Sequence, residues 1–210
     1  MATNKQRNIL IFGLISTGVM HLVYLIIRWV GKTCQDPVLK QDFDLEKYMG
    51  LWYEFARSSD VPFETGECIT AEYALDGGKV SVTNTQYYKD SDKLDSAVGN
   101  AYCSSFESGS CGVRFNFFQP FGNYDIVATD YTSYAIVYSC SPFLANAFCL
   151  EYLWVLSREA YDAESADTAA FYSQVLAIID VDLPGYDLTL LKTTNQNFDD
   201  CTWVDAAATQ

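Results

Sequence analysis

The stretch that decides the fold is Gly50-Leu51-Trp52-Tyr53-Glu54, with Tyr48 before it and Phe55-Ala56-Arg57 after it. The glycine lets the chain turn without a side-chain clash, and the aromatic run that begins at Trp52 favours a β-strand. Much later, a second apolar run ends in Arg158, and an arginine side chain can stack on an indole ring. The sequence therefore predicts that Trp52 closes the floor of a β-barrel and that Arg158 covers it.

Short runs typical of β-strands recur after this stretch, separated by turn residues such as Asp76-Gly77-Gly78. The pattern predicts an all-β fold with one flanking helix: an eight-stranded antiparallel up-and-down β-barrel followed by a C-terminal α-helix. Apolar residues at helical spacing predict that helix over residues 163–179, and a short ninth strand is predicted within 186–192. The eight predicted barrel strands are residues 52–58, 68–75, 79–88, 96–104, 112–118, 124–130, 133–140 and 150–158.

A third segment, Ala128-Thr129-Asp130-Tyr131 followed by the apolar run 134–140, completes the pattern. In their order and spacing, the three segments resemble the three signature regions of the lipocalin family. Within that family, the sequence is similar to the apolipoprotein D group, which also includes insect bilin-binding and bacterial outer-membrane lipocalins. Residues 62–69, residues 77–80 and Cys201 resemble the same group. The resemblance covers about residues 34–201 and implies a barrel that encloses one small ligand.

The composition allows one sizeable domain and argues against several classes of function. Hydrophobic residues make up 50% of the 210 residues, which is enough for a core. Residues 34–210 contain all 27 acidic residues but nine of the 13 Lys and Arg, so this part has a net charge of −18. That charge argues against nucleic-acid binding. Because the single histidine, His21, lies before the domain, we expect no metal site, no cofactor and no histidine-dependent catalysis.

The chain begins with a segment typical of membrane targeting or anchoring. Residues 9–27 carry no formal charge, and the run is longer than a usual signal-peptide core but at the lower limit for a membrane span. We predict a signal peptide or signal anchor at 1–33, a lipocalin domain at 34–202 and a C-terminal tail at 203–210. The predicted location is secreted and extracellular if the segment is cleaved. It is membrane-anchored on the extracytoplasmic side if the segment is retained.

Seven cysteines predict disulfide bonds and an oxidising compartment. The resemblance implies two bonds that tie the terminal segments to the barrel wall: Cys34 with Cys140, and Cys68 with Cys201. Cys103 and Cys111 flank a short loop and are expected to staple a hairpin, which leaves Cys149 as the odd cysteine. In an alternative scheme, Cys140 pairs with Cys149 and Cys34 is left out.

The alternation of side chains along strands predicts which residues face the barrel interior. With Trp52 and Arg158 at the floor, counting back from Arg158 by twos places Leu156 and Trp154 inside. The resemblance supplies the anchor for the other strands and implies eight further inward positions: Tyr73, Asn84, Gln86, Tyr88, Phe115, Phe117, Ile136 and Tyr138. The resulting pocket is aromatic, and Arg158 is its one expected inward arginine. Alternatively, these side chains fill the barrel completely.

Such a pocket favours an elongated or planar apolar ligand with one polar end. The leading hypothesis is an extracytoplasmic, non-enzymatic lipocalin that binds and transports or sequesters a small hydrophobic molecule: a lipid, sterol, retinoid, carotenoid or tetrapyrrole. The alternative is a lipocalin-fold enzyme acting on a lipid-like substrate, with Cys149 as its candidate thiol.

Membrane contact is expected through the N-terminal segment and the loops at the barrel mouth. In an up-and-down barrel with Trp52 at the floor, the loops after the first, third, fifth and seventh strands surround the mouth. Their apolar residues are 61–63, Phe121, 143–144 and Phe148. Apolar tips around one rim are typical of a lipid or partner surface.

Overall fold

The structure is a computed structural model that describes residues 34–77, 79–103, 108–143, 148–162, 165–197 and 199–201. The predicted signal or anchor segment 1–33, which contains His21, and the predicted tail 203–210 lie outside these residues. The chain divides into two compact units, and the larger one comprises residues 35–140 and 151–210. Of the smaller unit, the structure describes Cys34 and the strand ends 141–143 and 148–150.

Among the described residues, nine strands form one sheet and two segments are α-helical. The strands are β1 (Gly50–Ser58), β2 (Glu67–Asp76), β3 (Lys79–Tyr88), β4 (Lys93–Cys103), β5 (Ser110–Arg114), β6 (Gly122–Thr129), β7 (Tyr134–Phe143), β8 (Phe148–Ser157) and β9 (Leu191–Thr193). The helices are α1 (Leu45–Tyr48) and α2 (Ala166–Asp182), and two 3-10 turns cover Lys89–Ser91 and Leu188–Leu190.

The sheet closes into a barrel because β1 pairs with strands from both ends of the strand order. That order is β2-β3-β4-β5-β6-β7-β8-β1-β9, and β1 also pairs with β2. The predicted eight-stranded antiparallel barrel with one main helix after it is therefore confirmed. Helix α2 begins at Ala166 rather than at residue 163, because Ser165 caps it by accepting a hydrogen bond from the N–H of Thr168 at 3.1 Å.

β1 changes partner half-way along its length. Residues 50–53 pair with β2, whereas residues 56–58 pair with β9, and the register on the β8 side shifts between Glu54 and Ala56. A β-bulge of this kind bends the strand and re-aims the side chains beyond it. The upper half of β1 therefore parts from β2, and the chain after β9 lies between the two strands.

Gln196 holds this C-terminal segment in the barrel wall. Its side-chain amide donates hydrogen bonds to the carbonyl of Glu54 on β1, at 3.0 Å, and to that of Ile69 on β2, at 2.7 Å. The N–H of Cys68 donates to the carbonyl of Asn195 at 2.8 Å. The segment thus bridges the two strands where their own ladder ends.

Disulfide bonds secure both this segment and one hairpin. Within the larger unit, they join Cys68 to Cys201 and Cys103 to Cys111. Cys103 and Cys111 lie directly opposite each other on β4 and β5, and part of the loop between them, residues 104–107, is outside the described residues. Cys34 and Cys140 are each disulfide-bonded. Cys149 is a buried thiol, so the alternative bond between Cys140 and Cys149 does not form.

The fifth and ninth strands are shorter than predicted. The prediction of a strand at 112–118 was wrong beyond Arg114, because Asn116 forms a turn there. The Asn116 side chain accepts from the N–H of Phe118 at 3.0 Å, and its carbonyl accepts from the N–H of Gln119 at 3.0 Å. Within 186–192, a 3-10 turn covers Leu188–Leu190, and β9 begins only at Leu191.

Trp52 and Arg158 form the floor of the barrel. Trp52 is fully buried, its indole N–H donates to the carbonyl of Tyr48 at 2.9 Å, and the guanidinium carbon of Arg158 lies 3.6 Å from the centre of its ring. The guanidinium also donates to backbone carbonyls at 2.7–3.3 Å, namely those of Lys47, Tyr48, Met49, Leu51 and Tyr131. One side chain thus satisfies the polar backbone around the closed end.

Replacing Arg158 with alanine should destabilise the barrel without removing it. Arg158→Ala loses the cation–π contact and leaves the floor carbonyls unpaired, so we expect a loss of about 1–3 kcal/mol in the free energy of unfolding. Urea unfolding followed by circular dichroism measures this loss. Arg158→Lys keeps the charge but loses the planar fork and should recover only part of it. An unchanged unfolding midpoint in Arg158→Ala would show that the floor contact contributes nothing.

Candidate functional site

A cavity of about 740 Å³ lies inside the barrel. Its size falls within the range of small-molecule sites. The alternative that side chains fill the barrel completely is therefore wrong. The wall combines apolar, aromatic and polar side chains from most of the barrel strands. Its residues are Glu54, Phe63, Glu64, Ile69, Thr70, Ala71, Tyr73, Val82, Asn84, Thr85, Gln86, Asp95, Ala97, Val113, Arg114, Phe115, Gln119, Pro120, Gly122, Asn123, Tyr124, Ser139, Tyr152, Trp154 and Leu156.

Hydrogen-bonded tyrosines form the part of the wall nearest the floor. The hydroxyl of Tyr124 lies 2.9 Å from that of Tyr48 and 2.7 Å from that of Tyr73. The ring of Tyr48 also packs against Trp52, with the centroids 5.1 Å apart. Burial raises the pKa of all three tyrosines, so they remain neutral hydrogen-bonding groups. Their hydroxyls satisfy one another and leave an aromatic surface for a ligand.

A buried acidic pair forms a second polar region of the wall. Arg57 donates to Glu54 at 2.5 Å and to the hydroxyl of Thr194 at 2.8 Å, and Thr194 in turn donates to Glu54. Glu64, from the loop between β1 and β2, accepts a hydrogen bond from the indole N–H of Trp154 at 2.6 Å. All four polar residues, Glu54, Arg57, Glu64 and Thr194, are buried.

Glu64 holds its proton at neutral pH. Burial, and after it the nearby Glu54 carboxylate, raise the pKa of its carboxyl to about 8 against the opposing hydrogen bond from Trp154. In contrast, Glu54 has a cationic partner in Arg57 at salt-bridge distance. The two glutamates therefore differ in role, because one forms an ion pair and the other is a neutral acid in the cavity wall.

Several of the predicted pocket residues lie on the cavity wall. They are Tyr73, Asn84, Gln86, Phe115, Trp154 and Leu156. Gln86 also fixes the loop that carries Glu64: its amide nitrogen donates to the carbonyl of Phe63 at 3.1 Å, and its amide oxygen accepts from the N–H of Gly66 at 3.1 Å. The Oδ1 atom of Asn84 is buried and has no hydrogen-bond partner among the described residues.

Ile136 and Tyr138 do not line the cavity, because the assumed parity of β7 was off by one residue. Ala135 and Val137 belong to the apolar cluster that contains Trp52, and Ser139 lies on the cavity wall. Ile136 and Tyr138 therefore face the outside of the barrel. There the hydroxyl of Tyr138 donates to Glu151 at 2.9 Å and accepts from the N–H of Gln35 at 3.0 Å.

Phe117 and Tyr88 are also absent from the cavity wall. Phe117 lies in the turn after β5, where strand alternation no longer applies, and is 79% exposed. Tyr88 is the last residue of β3 and pairs with Lys93, beyond the pair of Gln86 and Asp95 that lines the cavity. Both errors came from extending an alternating pattern to or past the end of a strand.

Sequence reasoning missed the charged residues of the wall. The expectation that Arg158 is the one inward arginine was wrong, because Arg114 lines the cavity and Arg57 is buried beside Glu54. Glu54 follows Trp52 by two residues, so strand parity alone could have placed it inside. Glu64 lies within residues 62–69, which matched the family but were interpreted only as part of a loop.

The rim of the barrel is less apolar than predicted where the structure describes it. Val61 is buried, and Phe121 packs against Tyr102, with the centroids 4.6 Å apart. Phe63 is 56% exposed and also lines the cavity. Residues 144–147 lie outside the described residues, and the side chains at 143 and 148 are likewise not described.

Comparison with known proteins identifies the family. A lipocalin-like domain family matches residues 43–196, which is most of the chain. The chain belongs to the lipocalin family. This lipocalin is 36% identical to apolipoprotein D of Rattus norvegicus over 156 residues, or 73% of this chain and 79% of that protein. It is 36% identical to the outer membrane lipoprotein Blc of Citrobacter freundii over 120 residues, or 56% of this chain and 63% of that protein.

A solved lipocalin structure has the same fold. Insecticyanin from the tobacco hornworm Manduca sexta matches with a TM-score of 0.65 and 25% identity, over 80% of this chain and 89% of that one. Together with the sequence relatives, this match confirms the resemblance to the apolipoprotein D group.

The described residues contain neither a cluster of side chains that could hold a metal ion nor a helix that could span a membrane. No group of three or more histidine, cysteine, aspartate or glutamate side chains is arranged to hold a metal ion. No helix in that part of the lipocalin is both long enough and apolar enough to span a membrane.

The proton on Glu64 should make the stability of this lipocalin depend on pH. Unfolded Glu64 loses its proton near the ordinary pKa of 4.5, whereas folded Glu64 keeps it to about 8. Between these values the folded state binds more protons, so this group's contribution to stability falls as pH rises. Relative to Glu64→Gln, the wild type should lose on the order of 1 kcal/mol per pH unit over this window.

Thermal or urea unfolding at several pH values between 5 and 8 measures the difference. Glu72→Gln, at an exposed position on β2, serves as the control and should track the wild type. A difference between wild type and Glu64→Gln that stays constant with pH would contradict the assignment of the proton.

Proposed function

We propose that this lipocalin is an extracytoplasmic carrier that binds and transports or sequesters a small hydrophobic molecule inside its barrel. The observation that carries the proposal is the cavity of about 740 Å³ in a barrel closed at its floor. Its wall contains the aromatic side chains of Tyr73, Phe115 and Trp154 beside apolar residues such as Val82 and Leu156. An apolar molecule of one to a few rings, or one extended chain, fits such a site.

The disulfide bonds of the barrel support the proposed location. The Cys68–Cys201 and Cys103–Cys111 bonds form in oxidising compartments, which supports a secreted protein or one anchored on the extracytoplasmic side. The N-terminal apolar run supports export of the domain. The name of one relative, outer membrane lipoprotein Blc, supports a membrane-associated alternative to free secretion.

The enzyme alternative has little support in the structure. Its candidate nucleophile, Cys149, is buried and is not among the residues that line the cavity. Non-covalent binding accounts for the cavity without any reacting group.

Ligand binding should be saturable and should depend on open space in the cavity. We expect retinol, a sterol, a lysolipid or a tetrapyrrole to quench the fluorescence of Trp154 with a dissociation constant in the micromolar range or below. Ala97→Trp places an indole in the cavity and should abolish binding. Val98→Trp adds the same group at the next residue of β4, which is 67% exposed, and should leave binding intact.

Comparison of these two variants distinguishes binding in the cavity from binding at the barrel surface. If no member of the panel binds saturably, or if Ala97→Trp and Val98→Trp bind equally well, the proposed carrier function is wrong. Circular dichroism of both variants confirms that the barrel is retained.

A further inference from the structure

The polar part of the cavity wall contains more acidic than basic side chains. Glu54, Glu64 and Asp95 all contribute carboxyl groups to it. The matching cationic group on the wall is Arg114, whose guanidinium stacks on the rings of Phe121 and Phe117, at 4.4 and 5.3 Å. A carboxylate ligand would find its cationic partner on the described wall in Arg114, because Glu54, Glu64 and Asp95 offer it no positive charge.

Asn84 is an independent sign that the cavity wall accepts hydrogen bonds. Its Oδ1 atom is buried without a hydrogen-bond partner among the described residues, and leaving such an acceptor unpaired costs energy. Asn84 and Gln86 share the inward face of β3, so they are about 7 Å apart along the strand. Gln86 bonds to Phe63 and Gly66, on either side of Glu64. The unpaired acceptor thus lies two residues along β3 from the side chain that holds the Glu64 loop.

We propose that the acidic pair of the cavity wall, Glu54 and Glu64, binds the amine head group of an apolar ligand, with the Asn84 oxygen as a further acceptor on the wall and the apolar part lying against Trp154 and Leu156. The inference rests on the proposed ligand-binding function and names the class of ligand. An ammonium group carries several N–H donors and a positive charge, which suits a carboxylate and a neighbouring amide oxygen.

Glu64 is the group that would pair with the amine. Glu54 already forms a salt bridge with Arg57, whereas the hydrogen bond to Glu64 comes from the neutral indole of Trp154. An alkylammonium group has a pKa close to that of lysine, about 10.4, and holds its proton more tightly than Glu64 does. On binding, Glu64 gives up its proton to solvent and the ammonium keeps its own, so that one proton is released and an ion pair forms.

The charged groups around Glu64 come from three elements. Glu54 and Arg57 of β1 act on its carboxyl, and β8 contributes the Trp154 N–H. Burial raises the pKa of Tyr73 on β2, and the charge of ionised Glu64 raises it in the same direction, so Tyr73 stays neutral. Glu64, with a pKa raised to about 8, thus changes its proton occupancy between pH 6 and 8.

The test compares three probes that share one alkyl chain: dodecylamine, dodecan-1-ol and dodecanoate. Isothermal titration calorimetry at pH 6, 7 and 8 should show the amine binding at least tenfold more tightly than dodecanoate at pH 8. Because only ionised Glu64 pairs with the ammonium, the affinity for the amine should rise close to tenfold per pH unit below pH 8. Titrations at pH 7 in phosphate and in Tris should reveal release of about one proton.

Two variants test whether Glu64 causes the pH dependence and the proton release. Glu64→Gln should lose both the pH dependence and the proton release for dodecylamine while still binding dodecan-1-ol, whereas the exposed control Glu72→Gln should behave like the wild type. Dodecanoate binding as tightly as dodecylamine would overturn the inference and leave the carrier function standing. Failure of all three probes, or an amine affinity that does not change with pH, would also overturn it. The carrier function is judged separately, by the ligand panel and the Ala97→Trp and Val98→Trp pair.

Discussion

The stacking of Arg158 on Trp52 is the interaction on which the rest of the structure depends. The indole fills the closed end of the barrel, and the guanidinium lies 3.6 Å from it while donating to the backbone carbonyls around the floor. With this end sealed by two side chains, the tyrosines above it can satisfy one another. The volume beyond them is left open for a ligand. A barrel filled from end to end would be easier to stabilise but would bind nothing.

Beyond the β1 bulge, the barrel wall is closed by the C-terminal segment instead of by pairing between β1 and β2. Because β1 bulges between Glu54 and Ala56 and leaves β2, polar backbone groups would lie unpaired in the wall. The segment after β9 takes their hydrogen bonds through Gln196 and is tied down by the Cys68–Cys201 bond. The same bulge brings Arg57 to Glu54, which places a buried ion pair beside the cavity. The β1 bulge thus explains both how the C-terminal segment closes the wall and why an ion pair lies beside the pocket.

The sequence predicted the parts of the fold that depend on strong local patterns. The strand run, the helix and the contact of Arg158 with Trp52 were all expected from residue type, spacing and the family resemblance, and the structure contains each of them. The errors concern places where alternation breaks. A register shift in β6 between Ile126 and Ala128 lies opposite the β7 residues whose facing was misjudged by one position. The turn at Asn116 ended β5 before Phe117.

Glu64, in the polar wall of the cavity, could not be placed from local pattern. Glu64 lies in a loop, and the indole that donates to it comes from β8, which is distant in sequence. Its raised pKa results from burial that only the folded barrel provides. A charged residue in a loop predicts solvent exposure by default, so the tertiary fold was needed to show that this one is inside.

The central claim is that the barrel binds an apolar ligand in the space between the tyrosine floor and the acidic pair. A crystal structure of the protein grown with a saturating hydrophobic ligand tests it most directly. The account predicts ligand density inside the barrel, in contact with Trp154, Leu156 and Val82, with the Trp52 and Arg158 floor unchanged. Density only on the outer surface, or a barrel interior occupied by rearranged side chains, would contradict it.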